Sequence, residues 1–336
     1  MSVDGPLDDT NSPSRPFADL GPVTLLAMLE SIGFEPDGRL LELNSFENRV
    51  YQLGLEDQPP VIVKVYRPGR WPDAAIAEEH DFARALAAQE VPVVAPLDCQ
   101  GASLHHHAGY RFAVYPRRGG HAPALDHPET LQWLGRLLGQ LHNVGAADAF
   151  AHRPVLDWQW MARQSRDDLL AEGWIPHHLE PAYRSVTEDL LTDIDAAFRR
   201  AASWQAIRLH GDFHPGNILW TDAGPHLVDL DDCLTGPAIQ DLWMMLSGER
   251  AERTGQLNEL LGGYEQFREF DPRELHLLEA LRTMRMMRYA AWLARRWQDP
   301  AFPAAFVWFD TPRYWEEHIL ALREQAAAMQ EPPLCV

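Results

Sequence analysis

The chain has 336 residues, of which 46% are hydrophobic and 23% charged, a composition typical of a folded globular protein long enough for two subdomains. Its formal net charge of -20 argues against general nucleic-acid binding and against docking on anionic membranes, because both need a basic surface. The 29 basic residues include a single lysine, Lys64. We expect Lys64 either to serve a role that needs an ammonium group or to be the remnant of a compositional drift toward arginine.

The cysteines and the amino-terminal residues bear on where the protein acts. Cys99, Cys233 and Cys335 are widely spaced and form no metal-ligand pattern, which favours a reducing compartment. Residues 1–16 are acidic and lack the basic and apolar regions of a signal peptide. No apolar stretch approaches the roughly 20 residues of a membrane span. We therefore expect a cytoplasmic protein with a flexible acidic tail over residues 1–16.

The segment after the tail predicts a mostly antiparallel sheet with one long helix. Short β-branched runs are separated by turn-forming residues, and a longer run rich in Ala and Glu follows them. Lys64 lies inside one β-branched run, where a charge is costly unless it is paired. The expected elements are a short helix at 23–32, strands at 40–44, 49–54 and 61–66, a long helix at 73–89, and strands at 91–97 and 110–115.

A Pro-Arg-Arg-Gly-Gly segment at residues 116–120 interrupts this pattern and marks the expected domain boundary. The chain beyond it is mainly helical, except for an island of β character at residues 207–230. We expect an amino-terminal lobe over 17–115, a linker over 116–120 and a carboxy-terminal lobe over 121–336. The expected helices of the second lobe lie at 127–144, 158–172, 178–202, 237–262, 271–297 and 313–330.

The β island carries the polar residues that point to chemistry. Asp212 lies on a Gly/Pro-containing loop, Asn217 follows five residues later, and Asp229 comes at the end of the next hairpin. Phosphoryl transfer to a hydroxyl uses such a set, with one carboxylate as base and an amide oxygen and a second carboxylate on Mg²⁺. Two alternatives are ordinary turn residues and a metal-hydrolase cluster of His210, Asp212 and His214.

The order and spacing of these residues resemble the catalytic loop and the metal-binding Asp of kinases. Gly211 replaces the usual Arg before the first Asp, as in the choline kinase and aminoglycoside phosphotransferase superfamily. Longer segments resemble the bacterial stress response kinase A family, and the likeness covers almost the whole chain after the tail. These segments are residues 44–51, 116–120, 228–246, 282–285, 291–297, 299–303 and 330–334.

This resemblance implies an α+β, bilobal protein-kinase-like fold, with an antiparallel sheet and one long helix in the first lobe and a mainly helical second lobe. It also implies a cytoplasmic, monomeric serine/threonine protein kinase that uses ATP and Mg²⁺ and acts in stress survival. Asp212 would be the catalytic base, and Asn217 and Asp229 the metal ligands. Nothing in the residues themselves indicates a protein substrate.

The resemblance also assigns roles in the first lobe. Lys64 would contact the α- and β-phosphates, held by Glu79 or Glu78, of which we favour Glu79 because the apolar side of the helix then packs. Ser45 would contact phosphate from a hairpin that lacks a glycine-rich loop, or would be an ordinary turn serine. Tyr115 would belong to the hinge at residues 113–115, whose backbone amides meet adenine.

Several other polar residues have weaker assignments. Asp241 is expected to be a buried helix cap that braces the catalytic loop. The sequence leaves the roles of Asp231 and Asp232 open, with contact to metal or solvent as one alternative. Residues 105–107, all histidine, are expected in a solvated loop. Arg282, Arg285 and Arg288 recur every three residues on one helix face, which suits an acidic or phosphorylated acceptor or, alternatively, a helix laced by salt bridges.

Two other functions remain open from the sequence. A small-molecule kinase acting on an amino alcohol, a sugar or an antibiotic hydroxyl would use the same catalytic residues. A nucleotide-binding pseudokinase is disfavoured because Lys64, Asp212, Asn217 and Asp229 are all present. The short distance from Asp229 to Pro237 leaves no room for a long activation loop, so regulation by phosphorylation of that loop is not expected.

Overall fold

The computed structural model describes residues 15–335, and the expected flexible tail therefore lies almost wholly outside the described residues. The amino-terminal lobe is a five-stranded antiparallel sheet in the order β1-β2-β3-β5-β4 with a helix on each face. Its elements are α1 Pro22–Ser31, β1 Pro36–Leu43, β2 Arg49–Leu55, β3 Gln58–Tyr66, α2 Asp73–Ala88, β4 His105–His107 and β5 Tyr110–Pro116.

The alternation of side chains along β3 explains where Lys64 points. Val63 and Val65 are fully buried in the core formed with α1. Because successive side chains of a strand face opposite sides of the sheet, Lys64 faces the other side. There its ammonium group meets α2 and the cleft between the lobes. The β-branched run therefore both builds the core and aims its one charge into the cleft.

Two expectations for this lobe are wrong. Residues 91–97 do not form a strand; they contribute an isolated bridge from Val93 to Leu227 and a hydrogen bond from the Leu97 N–H to the Val114 carbonyl. Pro92 and Pro96 lack the N–H groups that a continuous ladder needs, which accounts for the difference. Conversely, His105–His107 forms the edge strand β4 and is not a loop.

The carboxy-terminal lobe is mainly helical and contains two small two-stranded sheets, β6 with β9 and β7 with β8. No helix within residues 15–335 combines the length and the apolar character that a membrane crossing requires. The helices are α3 Pro128–Ala146, α4 Ser165–Ala171, α5 Glu180–Ala201, α6 Ile239–Leu242, α7 Arg250–Tyr264, α8 Leu278–Arg296, α9 Ala301–Ala305 and α10 Pro312–Met329, and the strands are β6 Ile207–Leu209, β7 Ile218–Thr221, β8 Gly224–Leu227 and β9 Leu234–Gly236.

Three predicted helices of this lobe are interrupted. The helix expected at 237–262 ends as a 3₁₀ turn at Trp243–Met245, and α7 then starts with a capping box between Glu249 and Glu252. Gly248 lies between the 3₁₀ turn and α7 with a φ of 81°, a conformation that glycine adopts without strain. The helix expected at 158–172 begins with the π-helical segment Gln159–Gln164. The helix expected at 271–297 begins with the 3₁₀ segment Pro272–Leu277.

The small sheets bring two loops to the cleft between the lobes. Residues 210–217 connect β6 to β7, and residues 228–233 connect β8 to β9. Because β6 pairs with β9 and β7 pairs with β8, both loops leave their strands at the same end. The fold in this way gathers the polar residues of the β island beneath Lys64. The overall architecture confirms the predicted bilobal α+β fold.

Candidate active site

The loop that carries Asp212 is fixed from behind by a buried carboxylate. Asp241 accepts hydrogen bonds from the backbone N–H groups of His210 and Gly211, each at 2.9 Å, and lies 3.2 Å from Nε2 of His142. The sequence correctly predicted a bracing role, but Asp241 does not cap its own helix, which begins two residues earlier. A buried charge bonded in this way holds the loop rigidly.

Gly211 is required where kinases usually carry an arginine. Its φ is 84°, and a Cβ atom there would lie 2.1 Å from the carbonyl oxygen of Asp232. No other residue fits that approach without moving the chain. The close packing of the two loops therefore depends on this glycine.

Asp212 lies at the floor of the cleft and is contacted on both carboxylate oxygens. Oδ1 accepts from Nη1 of Arg285 at 2.6 Å, and Oδ2 lies 3.3 Å from Nε2 of His214. Asn217 donates its amide N–H to the Asp212 carbonyl at 3.0 Å. Burial would raise the pKa of Asp212, but the His214 hydrogen bond and the Arg285 charge outweigh it and hold the pKa below its usual range.

Asp229 lies just past the end of β8 and has an unusual backbone conformation. Its φ of 62° is in the left-handed region, which costs a non-glycine residue of the order of 1–3 kcal/mol. The side chain is 52% exposed and accepts from Lys64 Nζ at 3.0 Å through Oδ1. Strand β8 ends at Leu227, before the end of the expected β character at residue 230, and the strained turn that follows directs the carboxylate into the cleft.

Lys64 is surrounded by three carboxylates. Its Nζ lies 3.2 Å from Glu79, 3.0 Å from Asp229 and 3.4 Å from Asp231. Burial would lower the pKa of this lysine, but the charges of Asp229, Asp231 and Glu79 outweigh it, and the pKa is well above its ordinary value. Three anions around one ammonium group fix its position more firmly than a single pair would.

The two helix glutamates have different partners. Glu79 is buried and also accepts from Nη2 of Arg153 at 2.8 Å, so the geometry favours it over Glu78 as the partner of Lys64. Glu78 instead accepts from three backbone N–H groups of residues 151–153 at 2.6 to 3.0 Å. Helix α2 is thereby tied to the second lobe by both carboxylates.

Asp231 is shielded from solvent, whereas the side chain of Asp232 is 42% exposed and does contact solvent. Asp231 is 2% exposed and is bound by Arg70, by Asn48 at 3.0 Å and by Lys64, which leaves it out of contact with solvent. Arg70 also donates to Asp232 at 2.6 Å. Both carboxylates are therefore held by cations of the first lobe.

The loop over residues 44–49 is attached to the second lobe by a polar cluster, here called the interlobe latch, consisting of Glu47, Arg67, Trp292, Arg296 and Asp299. Glu47 accepts from Trp292 Nε1 at 2.6 Å and from Arg296 at 2.8 Å. Arg67 lies 3.1 Å from Glu47 and 2.8 Å from Asp299. Burial would raise the pKa of Glu47, but the neighbouring arginines hold it below its usual range. The latch keeps this loop over the cleft.

Ser45 and Tyr115 both line the cleft. Ser45 donates its hydroxyl to the Asn48 carbonyl at 3.2 Å, which leaves the lone pairs of the hydroxyl oxygen as acceptors. The Tyr115 hydroxyl lies 3.1 Å from that of Tyr66, and its backbone is in register with Ile62 of β3. The strand continues to Pro116, and the Val114 carbonyl is occupied by Leu97.

The cleft is a cavity of about 810 Å³ that both lobes line. Lys64, Ser45 and Tyr115 lie on its upper wall, and Asp212 and Asn217 on its floor. A cavity of this size fits a nucleotide with space beside it for an acceptor. The acceptor end is bounded by Trp160, Met161, Gln240, Leu281, Arg285, Arg288, Tyr289 and Trp292.

The donor set fits a divalent metal held jointly with phosphate. Asn217 uses its amide N–H on Asp212, so its amide oxygen is free for a cation, and one oxygen of Asp229 is also free of the hydrogen bonds found here. Oxygen ligands of this kind suit a hard cation completed by phosphate and water. In the described part of the chain, no group of three His, Cys, Asp or Glu side chains could hold a metal alone.

The metal-hydrolase alternative does not fit the geometry. His210 is fully buried beneath the loop, and its Nε2 bonds to the Val228 carbonyl at 3.0 Å. His214 accepts from the Gly216 N–H through Nδ1. Only His214 therefore faces Asp212, and the three side chains do not converge on one point.

Known proteins are similar to this chain over most of its length. The family profile "Phosphotransferase enzyme family" matches residues 39–278. Stress response kinase A of Escherichia coli O157:H7 is 44% identical over 324 residues, covering 96% of this chain and 98% of that protein. A protein of Salmonella typhimurium named "Serine/threonine protein kinase RdoA" is 43% identical over 321 residues, covering 95% of this chain and 96% of that protein.

Solved structures agree on the fold. An amicoumacin kinase in complex with AMP-PNP, Ca²⁺ and Ami superposes with a TM-score of 0.72 at 18% identity, covering 95% of each chain. A microcompartment-associated aminopropanol kinase superposes with a TM-score of 0.67 at 18% identity, covering 91% of this chain and 96% of its own. At such identities the likeness concerns the fold alone.

Proposed function

We propose a substrate, a metal and a set of catalytic roles for this chain, which belongs to the phosphotransferase enzyme family and is an ATP-dependent kinase of hydroxyl groups. The proposed acceptor is a serine or threonine residue of a protein, and the proposed metal is Mg²⁺. The relative named as a serine/threonine protein kinase supports the acceptor, since it matches the chain over 95% of its length.

One observation carries the assignment of roles: Asp212, Asn217, Asp229 and Lys64 face a single cavity from three separate segments. Lys64 would bind the α- and β-phosphates, positioned by Glu79, and Ser45 would contact phosphate from above. Tyr115 would lie beside the adenine. Asn217 and Asp229 would hold Mg²⁺, which when bound neutralises the phosphate charge.

The proposed step is an in-line transfer. The acceptor hydroxyl oxygen forms a bond to the γ-phosphorus, the bond between that phosphorus and the β,γ-bridging oxygen breaks, and ADP leaves with the electron pair. Asp212 takes the hydroxyl proton. Asn217 keeps the Asp212 loop in place through its bond to the Asp212 carbonyl. The latch and the Asp241 brace hold both walls of the cleft, so that little reorganisation is needed during the step.

The proposal also covers the domain boundary, the oligomeric state and the cellular location of the protein. A boundary at residues 116–120 is supported by the end of β5 at Pro116, and a monomer and a cytoplasmic location are proposed with it. Only β9 and a short connection separate Asp229 from α6, which supports control by means other than a phosphorylated activation loop.

A small-molecule hydroxyl kinase is the second candidate. The favouring observation is that structural relatives include an amicoumacin kinase and an aminopropanol kinase, each named for a small acceptor. Its acceptor would occupy the same end of the cleft.

The test is transfer of labelled γ-phosphate from ATP to a cell extract separated into proteins and metabolites. The proposal expects label on serine or threonine residues of proteins with the native enzyme and none with Asp212→Asn. Label confined to the metabolite fraction would overturn the protein acceptor while leaving the kinase chemistry intact. Label independent of Asp212 would overturn the assigned base.

A further inference from the structure

The acceptor end of the cleft contains two arginines with little charge compensation. Arg285 and Arg288 lie one turn apart on α8 and both line the cavity. Arg282, one turn earlier, turns away and lies over the ring of Trp243 at 5.9 Å. The three arginines therefore do not form a helix laced by salt bridges, and two of them face the place where an acceptor must lie.

Arg288 has no anion of its own. In the described part of the chain its guanidinium makes no salt bridge, and its Nη1 is shielded from solvent without a hydrogen-bond partner. It stacks on Trp160 at 4.4 Å. Burial lowers the pKa of Arg288 to about 10, because the nearby charge of Asp232 offsets only part of that effect, and Arg288 remains charged at neutral pH. A shielded guanidinium N–H group without a hydrogen-bond partner is costly unless a ligand completes it.

Arg285 is paired with the proposed base itself. Its side chain is 45% exposed, and its salt bridge goes to Asp212 Oδ1 at 2.6 Å. This contact occupies an oxygen that would otherwise accept the hydroxyl proton. A second anion near Arg285 would compete for the guanidinium and release that oxygen.

The same wall argues against a cationic acceptor. Quaternary and primary amines bind to open aromatic faces and to free carboxylates. Here Arg288 already covers Trp160, and Arg70 already holds Asp232. The free charge at this end is positive, despite the formal net charge of -20 of the whole chain.

We propose that Arg285 and Arg288 form an oxyanion subsite that selects acceptors carrying a carboxylate or a phosphate group beside the accepting hydroxyl. The inference rests on the proposed function and deepens it, since the acceptor becomes a serine or threonine next to an acidic or phosphorylated residue. Binding of the anion draws Arg285 from Asp212, and Asp212 then takes the proton as the hydroxyl oxygen bonds to the γ-phosphorus and ADP leaves. The base is released only when the correct acceptor is present.

The test uses synthetic peptides with one central serine whose flanking positions are fixed in turn as Glu, phosphoserine, Gln or Lys. A paired set of hydroxy acids and amino alcohols of matched size is assayed beside them. We expect kcat/KM at one or more positions to be about tenfold higher for Glu or phosphoserine than for Gln, as one charge-assisted hydrogen bond supplies. The Glu and phosphoserine arms distinguish a carboxylate source from a phosphate source.

Variants connect that preference to the residues. Arg288→Met removes the guanidinium but keeps the apolar stem over Trp160. Arg285→Gln removes the positive charge that is paired with Asp212. Either variant should reduce the preference for acidic flanking residues to about twofold or less. Arg282→Gln is the matched control on the same helix and should leave the preference intact. An unchanged affinity for Mg·ADP and an unchanged melting temperature verify that each variant is folded.

Each outcome has a separate meaning. Peptides phosphorylated without regard to charge, or preferentially beside Lys, overturn the subsite and leave the protein kinase standing. Hydroxy acids phosphorylated in place of peptides overturn the protein acceptor and support the subsite. Amino alcohols as the only acceptors overturn both.

Discussion

The two ends of the cleft differ in how their charges are compensated. At the nucleotide end, Lys64 touches three carboxylates, and Arg70 and Arg153 complete the remaining carboxylate contacts. At the acceptor end, Arg288 makes no salt bridge within residues 15–335 and Arg285 has the base as its partner. A site whose charges are paired before the ligand arrives is preorganised, whereas a site with unpaired charge is completed by its ligand. We conclude that the nucleotide end is preformed and the acceptor end is selective.

Replacing the base should give the largest effect and should separate the two ends. Asp212→Asn keeps the shape of the side chain but cannot take the proton, so kcat should fall by roughly 10²–10⁴-fold. Affinity for Mg·AMP-PNP, measured by calorimetry, should stay within about twofold of the native value, because the nucleotide end does not use Asp212. Loss of nucleotide affinity with kcat preserved would place Asp212 at the wrong end.

Removing the lysine should damage the nucleotide end in activity and in stability. Lys64→Met leaves Glu79 and Asp231 buried without their ammonium partner, which costs of the order of 3 kcal/mol of folding stability. Nucleotide affinity should fall by about 10²-fold through the lost phosphate contact. Lys64→Arg is the matched variant; because a planar guanidinium cannot take the place of a compact ammonium group among three carboxylates, it should also be strongly impaired. Full activity of Lys64→Arg would contradict the role inferred from this single lysine.

The buried carboxylate of Glu274 should make the folding stability depend on pH. Glu274 is 3% exposed and accepts from the Ile239 N–H at the start of α6. Burial raises the pKa of Glu274 to about 7 from an ordinary 4.5. The contribution of Glu274 to folding stability is therefore fully present below about pH 4.5 and is lost as the pH rises through 7. Glu274→Gln, which keeps the accepting oxygen, should remove roughly 2–3 kcal/mol of that decline. Denaturant unfolding at about pH 5 and pH 8 measures it, and an equal decline in both proteins would refute the assignment.

Weakening the interlobe latch should give the smallest of these effects. Glu47→Gln removes the charge shared by Arg67 and Arg296, so the loop over residues 44–49 should open more often. The KM for ATP should rise by about tenfold with kcat nearly unchanged, the equivalent of one charged hydrogen bond. Glu42→Gln on the neighbouring strand, outside the latch, is the control. A fall in kcat with an unchanged KM would show that the latch serves chemistry and not nucleotide retention.

The residues expected to carry the chemistry were largely predictable from the sequence because they lie in short local patterns. Asp212, Asn217 and Asp229 are spaced along one hairpin, and Lys64 and Glu79 are placed by the strand and the helix that carry them. The latch was not predictable, since Glu47 and Arg296 are separated by 249 residues and nothing local marks either one. The surroundings of Asp231 were not predictable for the same reason, because one of its partners is Asn48, 183 residues away.

The acceptor end shows the limit of sequence patterns in another way. The repeat of arginines on α8 predicted a positive face, but the three residues have different surroundings in the fold. Arg282 packs on Trp243, Arg285 reaches Asp212 and Arg288 stacks on Trp160. Which of them remains unpaired is decided by tertiary packing, and sequence spacing cannot give it.

The most direct test of the contrast between the two ends is calorimetric titration of Mg·AMP-PNP into the native protein, Lys64→Met and Arg288→Met under one buffer condition. The account predicts native nucleotide affinity for Arg288→Met and a loss of about 10²-fold for Lys64→Met. Similar losses in both variants would contradict it, because the acceptor arginine would then belong to the nucleotide site.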